Sequence, residues 1–292
     1  PPSTTRHRTG SPSSIAASFP PLTAPTSPGS KPTSPSQGST SLPNAGRHCR
    51  RVSAHSSGRG PNGCGAGATT FEVSQAVGAT GRVVGVDISG PMLELAAQRA
   101  AAEGYSHVEF LRGDAQTMDP PVEGADAVVS RFGVMFFDDP VAAFTNIAAM
   151  VRPGGRLAFV CWGEFEANEW MWAPSVAVHD LAPLPAGQDP DAPGPFAFRD
   201  PERVASILAA SGWTDVTFED VTDAIYVGGP GPVEDAVEFI LSSSTIVGAL
   251  TDASEETMAL VRERLVELFT PQHDLVGVKY PALARVVRAT KP

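Results

Sequence analysis

The stretch that decides the fold is "GCGAGATTFEVSQAVGATGRVVGVDIS", Gly63–Ser89. It opens with glycines at 63, 65 and 67, and backbone without side chains can come close to a ligand. Beyond Gly67, Phe71, Val73 or Ser74, and Val77 fall at helical spacing, with Gly78 and Gly81 as terminators. "RVVGVDIS" then gathers β-branched residues into one short run, the pattern of a strand buried in a parallel sheet. Glycine loop, helix and buried strand in that order predict an α/β fold with a ligand loop at the start of a helix.

The same alternation continues downstream. "GPMLELAAQRAAAEG" reads as a helix with Pro91 near its first turn and Gly104 at its end. "HVEFLRGDA" and "ADAVVSRFGVMFF" read as strands, "DDPVAAFTNIAAMVRPGG" as a helix ending before Pro153, and "GRLAFVCWG" as another strand. This βαβαβ rhythm with short links predicts a doubly wound, mostly parallel sheet. Past Gly163 the pattern loosens into an aromatic, Met-containing helical stretch and a Pro/Gly/Asp loop running to about residue 195. It then resumes with the helix "DPERVASILAASG", in which Asp200 is the expected N-cap, and the strand "WTDVTFEDVTDAIYV". The helices "PVEDAVEFILSSS" and "SEETMALVRERLVELF" and a terminal strand around "ALARVVRAT" follow.

Upstream the composition changes abruptly. Residues 1–60 hold seven of the 21 Lys and Arg residues and none of the 32 acids. The remainder therefore carries 14 cations against 32 acids, a charge of −18 within a whole-chain −11. The leading part is Ser-, Thr- and Pro-rich, with little apolar surface to offset its ordering entropy, so residues 1–62 are expected to form a disordered tail. An acid-free, Arg-containing start also fits an organellar transit peptide, although its prolines suit a targeting helix badly. Residues 63–292 are expected to form one domain.

Acidity of that domain argues against a nucleic-acid partner, whose phosphates require a basic face. Three scattered cysteines (Cys49, Cys64 and Cys161) do not make a disulfide framework or a zinc site, so no metal is expected. No apolar run reaches the ~18 residues of a membrane span. The expectation is a cytoplasmic protein with a small-molecule partner and no membrane association.

In open α/β sheets, ligands bind beyond the carboxyl ends of the strands. Gly63, Gly65 and Gly67 form the first loop there. Asp87 ends the next strand 20 residues after Gly67, where an acid meets ribose hydroxyls, and a carboxylate accepts two such donors. Asp114, in "RGDAQ", follows the third strand, where it can accept from an exocyclic amine, and Ile88 and Met92 offer apolar surface to a base. Taken singly, the glycines could form a mere turn, the two acids could cap strand ends, and Met92 could be core. Their joint order carries the argument.

That joint pattern resembles the class I S-adenosylmethionine-dependent methyltransferases, particularly the small-molecule branch containing the ubiquinone and menaquinone methyltransferases. The matching segments are "GCGAGATT", "GRVVGVDISGPMLELA", "VEFLRGDAQTMDPP", "DAVVSRFGVMFFDDP" and "VRPGGRLAFVCW", across roughly residues 63–163. The resemblance implies a Rossmann-like sheet of the seven-stranded type, with a substrate-cover insertion at about 164–199 and S-adenosyl-L-methionine as cofactor. It places Gly63, Gly65 and Gly67 near the methionyl part and Asp87 on the ribose. Ile88 and Met92 would flank the adenine, with Asp114 and the Ala115 amide on its edge, while Ser130, Arg131 and Phe132 line the cofactor wall. His179 in the cover is the candidate general base where the nucleophile arrives protonated. Trp162, Trp170 and Trp172 are candidates for an apolar acceptor pocket, with aromatic core the competing reading.

Two other enzyme readings compete. "GCGAGA" also satisfies the G-x-G-x-x-A pattern of a nicotinamide dehydrogenase, and Asp87 again falls at a suitable distance. "GDAQ" and "DISGPML" favour the methyltransferase, and no catalytic Tyr-Lys or His-Asp set accompanies the dehydrogenase reading. A nucleic-acid base methyltransferase would carry a Pro-Pro-aromatic loop where this chain has "SRFGVMFF". A non-catalytic remnant of the fold is the reading from another class.

One departure stands out. The family's glycine loop follows an apolar strand ending in an acid, whereas "SSGRGPNGCG" puts Pro61 and Asn62 there. "RVSAHSS", Arg51–Ser57, is the nearby substitute, displaced upstream of the loop. The first strand is therefore expected to be degraded or missing, with weakened folding and cofactor affinity. Resemblance beginning abruptly at Gly63 is the pattern expected if residues 1–62 are read out of frame.

Overall fold

The computed structural model describes residues 5–9, 51–55, 66–119, 124–181, 189–251 and 253–292. Among them eight strands form one sheet. β1 is Thr5–Thr9, β2 Arg51–His55, β3 Arg82–Asp87, β4 Val108–Arg112, β5 Ala125–Arg131, β6 Val151–Trp162, β7 Thr214–Tyr226 and β8 Lys279–Thr290. The spatial order is β1-β7-β8-β6-β5-β2-β3-β4. Every pairing is parallel except those of β8, which runs antiparallel between β6 and β7.

Helices cover both faces. α1 (Ala68–Val77) follows the glycine loop, and α2 (Gly90–Glu103) joins β3 to β4. α3 (Pro140–Met150) joins β5 to β6, α4 (Glu169–Ala177) follows β6, and α5 (Pro201–Ala210) precedes β7. α6 (Val233–Leu241), α7 (Ser244–Leu250) and α8 (Glu255–Phe269) lie between β7 and β8. β3 shows how the two faces are divided. A side chain at Gly85 would touch Thr70 of α1, so that face belongs to α1. Its neighbours Val84 and Val86 point the other way, into a core with Phe144 and Ile147 of α3 and Val204 and Leu208 of α5. A second core gathers Trp170 and Met171 of α4, Ile240 of α6, and Leu265 and Phe269 of α8 around Tyr280 and Ala282 of β8.

The helix boundaries follow capping chemistry. Asp139 accepts from the Ala142 amide at 2.9 Å, Asp200 from Glu202 at 2.8 Å, and Ser254 from Thr257 at 3.1 Å, each satisfying an amide that the helix leaves unpaired. Gly104 ends α2 in the left-handed region, at φ 79°. α3 stops at Met150, and Val151 already opens β6, so this strand begins earlier than "GRLAFVCWG" suggests. α7 has no counterpart in the sequence reading.

The seat expected to be degraded or missing is filled. β2 lies centrally, bonded to β3 on one side and β5 on the other, with His55 level with Val86 and Ser130. Two parallel neighbours each offer a complete ladder of amides and carbonyls, and extended backbone of almost any composition can satisfy it. Of residues 1–62, the described pieces are β2 and β1, which adds to the outer edge of β7. The remainder of the expected tail lies outside the described residues.

Candidate functional site

The chain runs β2, β3, β4 towards one sheet edge and then returns to place β5 on the other side of β2. A crevice opens at such a reversal, at the carboxyl ends of the strands. The register makes those ends level: Asp87 pairs with Arg112, His55 with Val86, and His55 with Ser130. Residues that follow β2, β3, β4 and β5 are thereby delivered to one rim.

Gly67 is the described glycine of the first loop, and Gly63 and Gly65 lie outside the described residues. Gly67 caps the start of α1 in the left-handed region, at φ 85°. A Cβ there would stand 2.7 Å from the Phe71 ring and 3.2 Å from Ala96, so both conformation and space demand glycine. The first turn of α1 has no acidic residue and, among the described residues, no side-chain cap, so its amides face outward as donors for an anionic or polar group.

Asp87 is buried at the tip of β3, where its carboxylate accepts from the Ser89 amide at 2.8 Å. Its carbonyl accepts from Gly113 at 3.0 Å, which ties the β3 crest to the turn after β4. Asp114 is exposed in that turn and accepts from the Gln116 amide at 2.9 Å, an Asx-type bond that shapes the loop. Asn146 of α3 fixes the turn from beneath, donating at 2.9 Å to the carbonyls of both Ala115 and Met118. Ala115 is buried, while Ile88 and Met92 are half-buried beside the Asp87 crest.

Ser130, Arg131 and Phe132 form the β5 crest. Phe132 takes a positive φ of 57°, a strained setting for an aromatic residue, and stacks on Trp162 with ring centroids 4.1 Å apart. From Trp162 the aromatic contacts continue through Trp170, Phe196 and Phe165 to Trp172. Trp170 is core, at 3% exposure, with its indole bonded to Asn168, whereas Trp172 is 39% exposed. One of the three tryptophans is thus buried structure, and Trp162 is the one that reaches the β5 crest.

Arg131 electrostatically favours the charged form of Glu72 on α1, but burial outweighs it and lifts this carboxyl above the usual range. His179 is exposed just past α4, where Arg264 of α8 donates to Asp180 and to the Ala177 carbonyl.

Sequence reasoning did not single out the groups that pin the cover. Gly194 donates to the Met135 carbonyl at 3.0 Å. Arg285 of β8 donates to the Arg199 carbonyl at 2.6 Å while gripping Asp220 of β7 through two bonds. An Arg inside "ALARVVRAT" reads locally as a strand residue, and only the β6-β8-β7 order brings it to Asp220 and Glu164.

Thr69 Oγ1, Thr70 Oγ1 and Ser130 Oγ are buried with no hydrogen-bond partner among the described residues. Unmet buried hydroxyls are costly, and these stand in the first turn of α1 and at the β5 crest, so the lining suits a polar ligand. Among the described residues, no His, Cys, Asp and Glu cluster could hold a metal ion, and no helix is long and apolar enough to cross a membrane.

Residues 62–155 match the family described as "Methyltransferase domain", over the glycine loop and β3, β4 and β5. Over this segment the chain is similar to a methyltransferase domain. The methyltransferase fold extends beyond the matched segment: a Bacillus halodurans C-125 structure assigned to methyltransferases overlays on 85% of this chain and 95% of its own, with TM-score 0.53 and 14% identity. Among curated proteins, the nocamycin O-methyltransferase of Saccharothrix syringae is 31% identical over 60% of this chain and 55% of its own length. The aklanonic acid methyltransferase DauC of Streptomyces sp. strain C5 is 36% identical over 33% and 44%. The chain spans about half the length of the curated relatives it matches.

Proposed function

We propose that this protein methylates a small-molecule acceptor by in-line displacement, with S-adenosyl-L-methionine as donor. The carrying observation is that Gly67 with the open first turn of α1, buried Asp87, and Asp114 stand beyond three adjacent, level strand ends. Relatives whose names specify aklanonic acid and nocamycin as their concern support a small-molecule acceptor.

When bound, the cofactor supplies a methyl group already activated by a sulfonium, so that the acceptor atom gains a carbon bond as the sulfur takes the departing electron pair. The chain's own contribution is then alignment and exclusion of water, which together can supply about 7–11 kcal/mol in favourable cases. In this reading Gly63, Gly65, Gly67 and the α1 amides receive the carboxylate end. Asp87 accepts from the ribose hydroxyls, Ile88 and Met92 hold the base between them, and Asp114 and the Ala115 amide read its edge. Ser130, Arg131 and Phe132 form the wall, with the Phe132–Trp162 stack turned to the acceptor side. His179 is the base assigned to an acceptor that arrives protonated. The reducing cytoplasm suits the scattered cysteines of the chain.

Calorimetry with S-adenosylhomocysteine tests the reading. Loss of charge-assisted bonds to the ribose in Asp87→Ala should weaken binding about 10- to 100-fold. Transfer of labelled methyl to a panel of small quinone, phenol and carboxylate acceptors tests the reaction. A parent protein that binds NADH and leaves S-adenosylhomocysteine unbound would overturn it.

A further inference from the structure

The end of the glycine loop is held from an unexpected direction. Arg99, on the second half of α2, donates from Nη1 to the Ala66 carbonyl at 2.9 Å. Its guanidinium also lies over the Phe71 ring, 5.3 Å from the centroid. Phe71 is buried in α1, stacked on Tyr105 at 4.9 Å, and its amide makes the first helical bond to Gly67. Ala96, three residues before Arg99 on the same α2 face, forms the other wall against Gly67. One helix side therefore fixes both the carbonyl before Gly67 and the space around it.

We propose that Arg99 is a positioning residue for cofactor binding, setting the direction of the peptide between Ala66 and Gly67; the inference rests on the cofactor site described under Proposed function. In a planar trans peptide, C=O and the following N–H point in opposite directions. Drawing the Ala66 carbonyl towards α2 turns the Gly67 N–H away from α2 and joins it to the unpaired amides opening α1. The same bond keeps the Ala66 oxygen out of that donor array, where its partial negative charge would oppose a carboxylate. Arginine suits both contacts at once, because its planar fork can lie on a ring and still donate in its own plane, which a lysine ammonium cannot reproduce.

The test compares the full-length parent with Arg99→Met, Arg99→Lys and the control Arg82→Met, whose ion pair with Glu109 is solvent-exposed on β3 and β4. S-adenosylhomocysteine affinity is measured by calorimetry, thermal midpoint by scanning calorimetry, and amide exchange by mass spectrometry. Arg99→Met should weaken binding about tenfold, as expected for one lost bond to a charged donor, with Arg99→Lys between it and the parent. Exchange should quicken at Gly67–Thr70 while the second half of α1 keeps its protection, and the control should bind like the parent. Arg99 variants that bind within twofold of the parent overturn the inference and leave the cofactor site standing. So does a loss of affinity matched by equal loss in Arg82→Met, or by exchange raised along the whole of α1. A parent that does not bind S-adenosylhomocysteine overturns the cofactor site and this role with it.

Discussion

Replacing Arg285 by methionine should destabilise the protein more than any surface substitution. Arg285 is 2% exposed and sits in β8 between β6 and β7. It holds Asp220, itself 6% exposed, through bonds of 2.6 and 3.1 Å, and also bonds the Arg199 carbonyl at 2.6 Å and Glu164 at 3.2 Å. Burial works against the Arg285 charge, yet the Asp220 and Glu164 carboxylates outweigh it, so the cation is held above its ordinary value. Removing one partner of a buried pair costs about 3–5 kcal/mol, because the remaining charge stays desolvated. For a domain of this size, each kcal/mol moves the midpoint by roughly 2–4 °C, so Arg285→Met should melt about 6–20 °C below the parent. Glu164 can turn to water and adds little to the loss. The double variant Arg285→Met/Asp220→Leu, which removes both charges, should recover most of the difference. Scanning calorimetry at pH 7 measures all three proteins. A single variant within about 1 kcal/mol of the parent, or a double variant no more stable than the single, would refute this account of the pair.

Two further outcomes follow from buried or half-buried groups. Cys161 is fully buried, and burial, opposed by Arg285 but aided by Asp220 and Glu164, pushes its thiol up to about 12. Iodoacetamide at pH 8 should leave Cys161 unmodified in the native protein and alkylate it after unfolding, as read by peptide mass; native labelling at the rate of a free thiol would contradict this burial. The Glu72 carboxyl is raised by burial, with Arg131 partly countering. The native state therefore favours its protonated form, a contribution present at acid pH and lost as pH rises through the raised value. Glu72→Gln should melt at or above the parent at pH 7, with the difference vanishing below about pH 3, beneath the ordinary carboxylate range. A variant less stable at pH 7 that converges on the parent at acid would reverse the sign.

Much of the fold was legible because local chemistry and tertiary demand agree. Pro91 and Gly104 bracket α2, Asp200 caps α5, and the β-branched run Arg82–Asp87 is the buried strand β3. The strand ends were legible for the same reason: Asp87 closes β3 and Asp114 follows β4 by two residues, and the position of a strand end follows from the strand. β2 takes a central seat that local sequence did not announce, because that seat is defined by the backbone ladders of β3 and β5. Arg99 and Arg285 escaped notice for a related reason. Each acts across elements, on a carbonyl 33 or 86 positions away, and nothing in its immediate neighbours announces the partner. α7 follows α6 after a short turn at Ser242 and Ser243, and its small residues carry too weak an apolar rhythm to announce a separate helix.

The antiparallel β8 has a consequence for how the molecule is assembled. It is the last strand in chain order, yet it supplies the seam between β6 and β7, and Lys291 then clasps the carbonyls of Ala148 and Val151 at 2.6 Å each. While the polypeptide emerges, β2 to β6 can assemble into one continuous sheet, but β7, and β1 upon it, stay detached until Lys279–Thr290 arrives. A nascent chain stalled before Lys279 would display an unzipped flank along β6, so the sheet closes only once β8 is threaded home.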